Sequence, residues 1–455
     1  MSPQTLAQAM DAELSSVVDG TPAGWSIDSR TLESGDVFFA VAGPNHDGHD
    51  YVEAAFEMGA TAAVVQREFS GAEGRPLFRV DDPAAALGRA ANAARRSWDG
   101  RVVAVTGSNG KTTVKEATAA LLGASMKVSK TAGNLNNELG LPLTLLRIGE
   151  ESRAAVVEMG MNHSGEIRKL ARIAEPDIGV VTNVSAAHVG HFASVDEIAA
   201  AKRELVEELG EQGVAVLNAD DERVRDFARV CRGRVKTFST DCEADVRAEQ
   251  IESRGFEGSR FRIGDSNFQT KLVGRHNVCN LCAAVAVAEA FGIEGADLIE
   301  PLAALVPVGM RGVIRRVGGA IVIDDCYNSN PAAAMAMLAL LAESSAERRI
   351  AVLGEMRELG ERSPELHRAV GQRVAELGID RLVAVGADAR FLAEGAIEAG
   401  MEAAAVDRFD DAAAAGEALR EMLRPGDAAL FKASRGVGLE SALGRVLATE
   451  EPVVG

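Results

Sequence analysis

The chain has 455 residues, 47% hydrophobic and 25% charged, with a formal net charge of −19. That length suggests about three domains of ~150 residues each, and the acidity excludes a nucleic-acid partner, because tracking phosphates takes clustered Lys and Arg. No apolar run approaches the ~18 residues of a membrane span, the opening MSPQTLAQAMDAEL is no signal peptide, and five cysteines form no disulfide framework, so a cytoplasmic protein is expected.

Residues 1–98 carry short strands at Val37–Ala42 and Ala62–Val65, a helix near Tyr51–Met58 and the helical AAALGRAANAARRSW. Asp99-Gly100 is a turn leading into RVVAVTGSNGKTTVKE, Arg101–Glu116. There the β-branched run Val102–Val105 ends in a glycine turn, and Lys111-Thr112-Thr113 opens a helix. Strand, glycine turn and helix N-terminus make a phosphate cradle: backbone N–H groups and the helix dipole meet the anion, Lys reaches the terminal phosphates, and a Thr hydroxyl can sit on Mg²⁺. The loop, T-G-x-x-G-K-T-T, is shorter than the common G-x-x-x-x-G-K-[ST] form. ATP, or something close to it, is the expected ligand.

Further along, Asn134-Leu135-Asn136-Asn137-Glu138 packs amides into a loop bounded by Gly140 and Pro142, suited to a polar ligand or to turn formation. The strand Ala154–Met159 carries Glu158 near its end, where Mg²⁺ would find a carboxylate beside phosphate oxygens; a Glu facing solvent is the alternative. After the strand Ile178–Val184 come His188 and His191, open to reading as metal ligands, phosphate contacts or loop surface. Lys202 lies among acids in a helical segment, the pattern of a solvated salt bridge. The strand Val214–Asn218 continues the alternation of strands and helices that implies a doubly wound, mostly parallel sheet. His276, Cys279 and Cys282 invite a zinc reading, but no second cysteine pair follows and the helix reads as buried, favouring small buried thiols.

Pro307–Gly312 punctuates the chain again. Beyond it, strands at Ala320–Asp324, Ile350–Leu353, Arg381–Val385 and Ala428–Phe431 alternate with helices in a second α/β domain. The first of these strands runs into Asp325-Cys326-Tyr327-Asn328-Ser329-Asn330-Pro331, which reads as a site more than a turn. The division expected is 1–98, 99–308 and 309–455.

These motifs together resemble the Mur ligase family, the ATP-dependent amide-forming enzymes of peptidoglycan precursor synthesis. The resemblance runs nearly end to end through TGSNGKTT, GNLNNELGLP, VVEMGMNHSGEI, TNVSAAHVGHF, AKRELV, GRHNVCNLCAA, GMRG, IDDCYNSNP, VLGEMRELG and KASRGVG. It implies a small mixed α/β domain for a UDP-sugar, a central P-loop domain and a Rossmann-like C-terminal domain. It further implies a monomeric enzyme joining D-Ala-D-Ala to a UDP-muramoyl-tripeptide.

By position, the resemblance assigns the phosphates to Gly107, Ser108, Asn109, Gly110, Lys111, Thr112 and Thr113. One Mg²⁺ goes to Thr112 and Glu158, and a second to His188 and a carbamylated Lys202, so that Lys111, His188 and Lys202 carry catalysis. Asn277 and Asn280 would meet the nucleotide, and Arg311 and Asp325 its phosphates and ribose. The UDP substrate falls to Ser29, Arg30, Asp47, Gly48 and His49. The remaining substrate contacts fall to Asn134, Asn136, Asn137, Tyr327, Asn328, Asn330, Lys432 and Ser434, with Arg435 nearby. The rivals are the sibling ligase that adds a dibasic third residue, whose Asp-Asn-Pro-Arg motif is absent, folylpolyglutamate synthase, which lacks the UDP domain, and a nucleotide-gated binding protein without catalysis.

Overall fold

Three sheets follow one another along the chain in a computed structural model that describes residues 1–18, 20–186 and 189–448. The first contains β1 (Glu13–Leu14), β2 (Gly24–Ser26), β3 (Asp36–Phe39), β4 (Ala62–Gln66) and β5 (Leu77–Val80) in the order β1-β5-β4-β3-β2, parallel except for β1. The expected strand at 37–42 stops at Phe39, because the chain then folds over and Ala42 bridges to Asp47 instead. The helix expected near 51–58 spans Val52–Glu57. The longer helix Pro83–Ser97 starts on the Asp82 side-chain cap and ends just before the Asp99-Gly100 turn.

The second sheet holds β6 (Arg101–Thr106), β7 (Val128–Lys130), β8 (Ala154–Glu158), β9 (Ile178–Val181), β10 (Val214–Asn218), β11 (Arg234–Ser239), β12 (Val246–Ser253), β13 (Ser259–Ile263) and β14 (Ser266–Thr270). Their order is β14-β13-β12-β11-β10-β9-β6-β8-β7, parallel from β12 to β7 and antiparallel over β12-β13-β14. From β6 the chain crosses to one side for β7 and β8 and to the other for β9, so the sheet reverses at β6 and opens a crevice at its carboxyl end. The fully buried Val102–Val105 explain why β6 is central: apolar on both faces, it has to be covered by helices on both sides.

The third sheet consists of β15 (Val313–Val317), β16 (Ala320–Asp324), β17 (Arg348–Gly354), β18 (Arg381–Val385), β19 (Val406–Phe409) and β20 (Asp427–Lys432), in the order β15-β16-β20-β17-β18-β19. Only β15 is antiparallel. Its carboxyl ends gather Asp325, Glu355 and Lys432 because β20 lies between β16 and β17. No helix among the described residues is long and apolar enough to cross a membrane.

Candidate functional site

β6 ends at Thr106, and the helix Lys111–Gly123 follows after one tight loop with Gly110 as its N-cap residue. A Cβ on Gly110 (φ 81°) would lie 2.3 Å from Asn280 Oδ1, and one on Gly107 (φ 145°) 1.8 Å from Thr182 Oγ1. Backbone conformation and close neighbours therefore both dictate glycine there. Asn109 anchors the loop: its N–H donates to Asn183 Oδ1 (2.9 Å) and its Nδ2 to Ser185 Oγ (3.1 Å), while Ser108 Oγ accepts from Ser185 N–H at 2.9 Å. Lys111 Nζ folds back onto the carbonyls of Gly107 (2.8 Å) and Ser108 (3.4 Å). Desolvation lowers its pKa, the Glu158 carboxylate opposes that, and the Arg311 guanidinium adds to it. Thr113 and Arg311 line a narrow cleft with Asn277 and Leu305, between the loop helix and the linker to the third domain.

Glu158 does not face solvent. At 3% exposure it accepts from Thr112 Oγ1 and from Asn136 Nδ2, both at 2.8 Å, which puts the hydroxyl and the carboxylate of the expected metal pair side by side. Beneath them Lys115, also buried, donates to the Thr131 carbonyl (2.8 Å), and Thr131 Oγ1 accepts the Glu158 N–H (3.0 Å). Lys202 corrects its sequence pattern. The helix Val195–Glu207 turns it inward to 2% exposure, and it makes no hydrogen bond or ion pair among the described residues, so it is no solvated salt bridge. Desolvation, and then the charge of Lys111, hold its pKa well below the ordinary lysine value. The acids around it in sequence serve elsewhere: Glu204 accepts from the N–H groups of Gly165 (2.8 Å) and Arg168 (2.9 Å). His191 is exposed, its ring 5.5 Å from that of His163. His188 lies outside the described residues.

Asn277 and Asn280 are both buried on the helix Arg275–Ala290, with Asn277 donating to the Val273 carbonyl (2.8 Å) and Asn280 to Asn277 Oδ1 (3.2 Å). On the same helix, burial pushes the Cys282 thiol up to about 12 and raises that of Cys279 as well.

From the third domain, Lys432 Nζ donates to Asp325 Oδ2 (2.6 Å) and to the Asn328 carbonyl (2.9 Å). Ser434 Oγ donates to the Ser329 carbonyl (3.3 Å) and accepts from Arg357 N–H (2.9 Å). Tyr327 carries the Arg311 guanidinium 3.9 Å above its ring centre, a cation–π contact. Asn330 Oδ1 caps the helix Pro331–Ala342 and its Nδ2 donates to Asn109 Oδ1 at 2.6 Å, so both polar atoms are engaged. The Asn328 side chain, in contrast, is exposed, as is Arg435.

Most of the residues assigned to a UDP substrate already bond to neighbours within the first domain. Arg30 forks onto Asp28 (2.9 and 2.7 Å), whose carboxyl is lowered to about 2 by that contact, just ahead of Ser29 at the start of a helical turn. His49 Nδ1 donates to Asp47 Oδ1 (2.6 Å) and its Nε2 accepts from Gln66 N–H (3.0 Å), while Gly48 N–H donates to the Val41 carbonyl (3.0 Å). In GNLNNELGLP, Asn137 Oδ1 accepts from Gly140 N–H (2.8 Å), the turn-forming role, and Asn134 is exposed. Sequence reasoning missed Asn183, Ser185 and Asp221, which shape the loop after β9; Asp221 accepts the Val184 N–H at 2.7 Å. The signal was an Asn two residues past a buried parallel strand.

Three family profiles match the chain in order. They are described as Mur ligase family, catalytic domain (residues 23–95), Mur ligase middle domain (105–288) and Mur ligase, glutamate ligase domain (311–435). A UDP-N-acetylmuramoyl-tripeptide–D-alanyl-D-alanine ligase of Bacillus subtilis (strain 168) is 37% identical over 422 residues, 92% of this chain and 91% of its own. MurF from Acinetobacter baumannii is similar with a TM-score of 0.91 at 31% identity, over 98% of both chains. The MurF ligase from Thermotoga maritima, solved in complex with ADP, gives 0.83 at 30% identity, over 94% of this chain and 97% of that one.

Proposed function

The chain belongs to the Mur ligase family, and from that membership we propose that it joins D-alanyl-D-alanine to UDP-N-acetylmuramoyl-tripeptide, with ATP as the activating substrate. It is an ATP-dependent carbon–nitrogen ligase of peptidoglycan precursor synthesis. The observation that carries the reading is the P-loop whose Thr112 hydroxyl rests on a buried strand-end carboxylate, Glu158, in a chain similar to such ligases over nine-tenths of its length. In this reading residues 1–98 take the UDP-muramoyl peptide, 99–308 the ATP and 309–455 the incoming amine. A cytoplasmic monomer goes with it.

Two Mg²⁺ ions belong to the reading. The donors fit the first: Thr112 and Glu158 are hard oxygen ligands held together in a buried spot beside the phosphate loop, leaving further positions for phosphate oxygens. The second would use His188 and Lys202. Burial and the charge of Lys111 favour the neutral Lys202 amine, the form that adds CO₂. An N–C bond forms, one proton leaves, and the resulting carbamate is an anion where a second cation would have faced Lys111. Bound there, Mg²⁺ would neutralise the charge that spreads over the transferred phosphoryl group.

The chain's own residues then divide the work. Lys111 and the backbone N–H groups of 107–112 hold the γ-phosphoryl while an oxygen of the tripeptide carboxylate attacks phosphorus and ADP leaves. The dipeptide amine attacks the acyl carbon, phosphate departs from the tetrahedral intermediate, and the amine proton goes to solvent or a nearby base. Arg311, stacked on Tyr327, links the nucleotide cleft to the third domain. Enclosure matters because water would hydrolyse the acyl phosphate. Incubation with ATP, Mg²⁺ and the UDP-muramoyl-tripeptide should release ADP and phosphate on addition of D-Ala-D-Ala and not of L-Ala-L-Ala. Faster turnover of the UDP-muramoyl-dipeptide with lysine or diaminopimelate would move the protein to the sibling activity.

A further inference from the structure

Two contacts join the central and third domains at the site itself. In the first, Asn109 of the nucleotide loop receives Nδ2 of Asn330, whose Oδ1 at the same time caps the helix Pro331–Ala342. In the second, Gly190 N–H donates to the Glu358 carbonyl at 2.8 Å. A Cβ on Gly190 would lie 2.9 Å from both Glu358 O and Gly360 N, yet its φ is outside the left-handed region. The demand for glycine at 190 therefore comes from the other domain's backbone and not from its own conformation.

The third-domain loop is built to present that carbonyl. Glu358 itself sits at φ 63°, a conformation a non-glycine residue keeps only where its surroundings fix it. The loop is held from behind at Met356, whose N–H donates to the buried His367 Nε2 (2.9 Å), and at Arg357, whose N–H donates to Ser434 Oγ (2.9 Å). Asn109 is equally constrained, by Asn183 and Ser185. Asn109, Asn330 and the Glu358 carbonyl are thus each held in place within their own domains.

We propose that Asn330 and Gly190 are positioning residues: together they seat the third domain on the nucleotide loop and on the loop that follows His188, and so hold the amine over the activated carboxyl. Asn330 reads the state of the P-loop and is not a contact of the dipeptide. The inference rests on the ligase reading. When the seat is loose, water reaches the acyl phosphate: its oxygen bonds to the acyl carbon, phosphate leaves and the tripeptide carboxylate is regenerated. ATP is then consumed without amide formation.

The test combines Gly190→Ala with a double-mutant cycle of Asn109→Ala and Asn330→Ser, in which Ser keeps the helix cap and is too short to reach Asn109. Each variant should lower kcat/KM for the dipeptide by roughly tenfold, the scale of one well-made hydrogen bond or a small forced gap. The double variant should fall no further than the worse single one. The ratio of ADP released to amide formed should rise above that of the wild type, a change that mere loss of stability does not produce. Multiplicative effects in the cycle, or Gly190→Ala with wild-type turnover and coupling ratio, would overturn the seat. Small-angle scattering with a non-hydrolysable ATP analogue is an arm that needs no turnover: the wild type should be more compact than Gly190→Ala, and identical profiles would also overturn it. A wild type that fails to ligate would remove the ligase reading, and the scattering arm would still decide the seat.

Discussion

The carboxyl ends of the central and third sheets meet at Asn109 and Asn330, but the two regions handle charge differently. In the central region Lys202 is buried with no hydrogen bond or ion pair among the described residues, and Lys111 bonds only to carbonyls of its own loop. In the third-domain region Lys432 is as deeply buried but rests on Asp325, and Ser434 and Asn330 have every side-chain polar atom engaged. A buried basic group without a counter-charge marks where a ligand completes the structure, since burying such a group is costly unless it is paired or loses its charge. Charge already paired marks what holds the frame in place.

The sharpest way to break this contrast is Lys111→Ala. If its charge serves phosphoryl transfer and not packing, ligation should fall by about 10³-fold, in line with the loss of one preorganised electrostatic contact, with the thermal midpoint nearly unchanged. Activity within a few-fold of the wild type would mean that the phosphate loop is misassigned. The opposite behaviour is expected of Lys432→Met. Removing one partner of a buried pair costs roughly 3–5 kcal/mol, so chemical denaturation should show a large loss of stability. Asp325→Asn in the same chain should recover part of it, and a neutral Lys432→Met would dissolve the contrast.

Lys202→Arg sharpens it from the other side, because Arg keeps a long basic side chain, as a salt bridge would need, and cannot be carbamylated. Turnover should drop at least tenfold, and activity above about half of the wild type would exclude the carbamate. The smallest effect concerns pH. Burial lowers the His367 pKa below the ordinary histidine value, against the Ser363 carbonyl, Asp388 and Glu355. As pH falls below ~6.5 the unfolded chain binds the proton first, so the stability this residue contributes is complete above that value and declines below it, by at most ~1.4 kcal/mol per pH unit. His276 is shifted the same way, so the measurement is the difference between the wild type and His367→Gln across pH 7 to 5. Equal slopes would show that His367 does not titrate in that window.

What the sequence made legible follows the same division. Val102–Val105, Ile350–Leu353 and Ala428–Phe431 announce central parallel strands because both their faces are covered and both must be apolar. Val246–Ser253 does not: only Val246 and Ala248 are buried, the rest is half-buried or exposed and mostly polar, and two buried positions are too few to announce a period. At the site, the Gly-Lys-Thr turn and Glu158 could be derived from placement alone. Lys202 could not, since a lysine flanked by acids reads as solvated until the fold turns the acids to other partners, and only the family resemblance singled it out. The contact of Asn330 with Asn109 was not legible, because a hydrogen bond between residues so far apart in sequence leaves no local mark.

β20 occupies an interior place in the third sheet, yet among the described residues it is followed only by the 3-10 turn Arg435–Val437 and the helix Glu440–Leu447. During synthesis β16, β17 and β18 emerge with the central position empty, and β16 has no parallel neighbour until Asp427–Lys432 arrives to pair with it and with β17. Such long-range closure is slow, and the unfilled gap offers two strand edges to any other chain nearby. Until β20 pairs with both neighbours, the third sheet is therefore two separate pieces whose facing edges only each other or a foreign strand can satisfy.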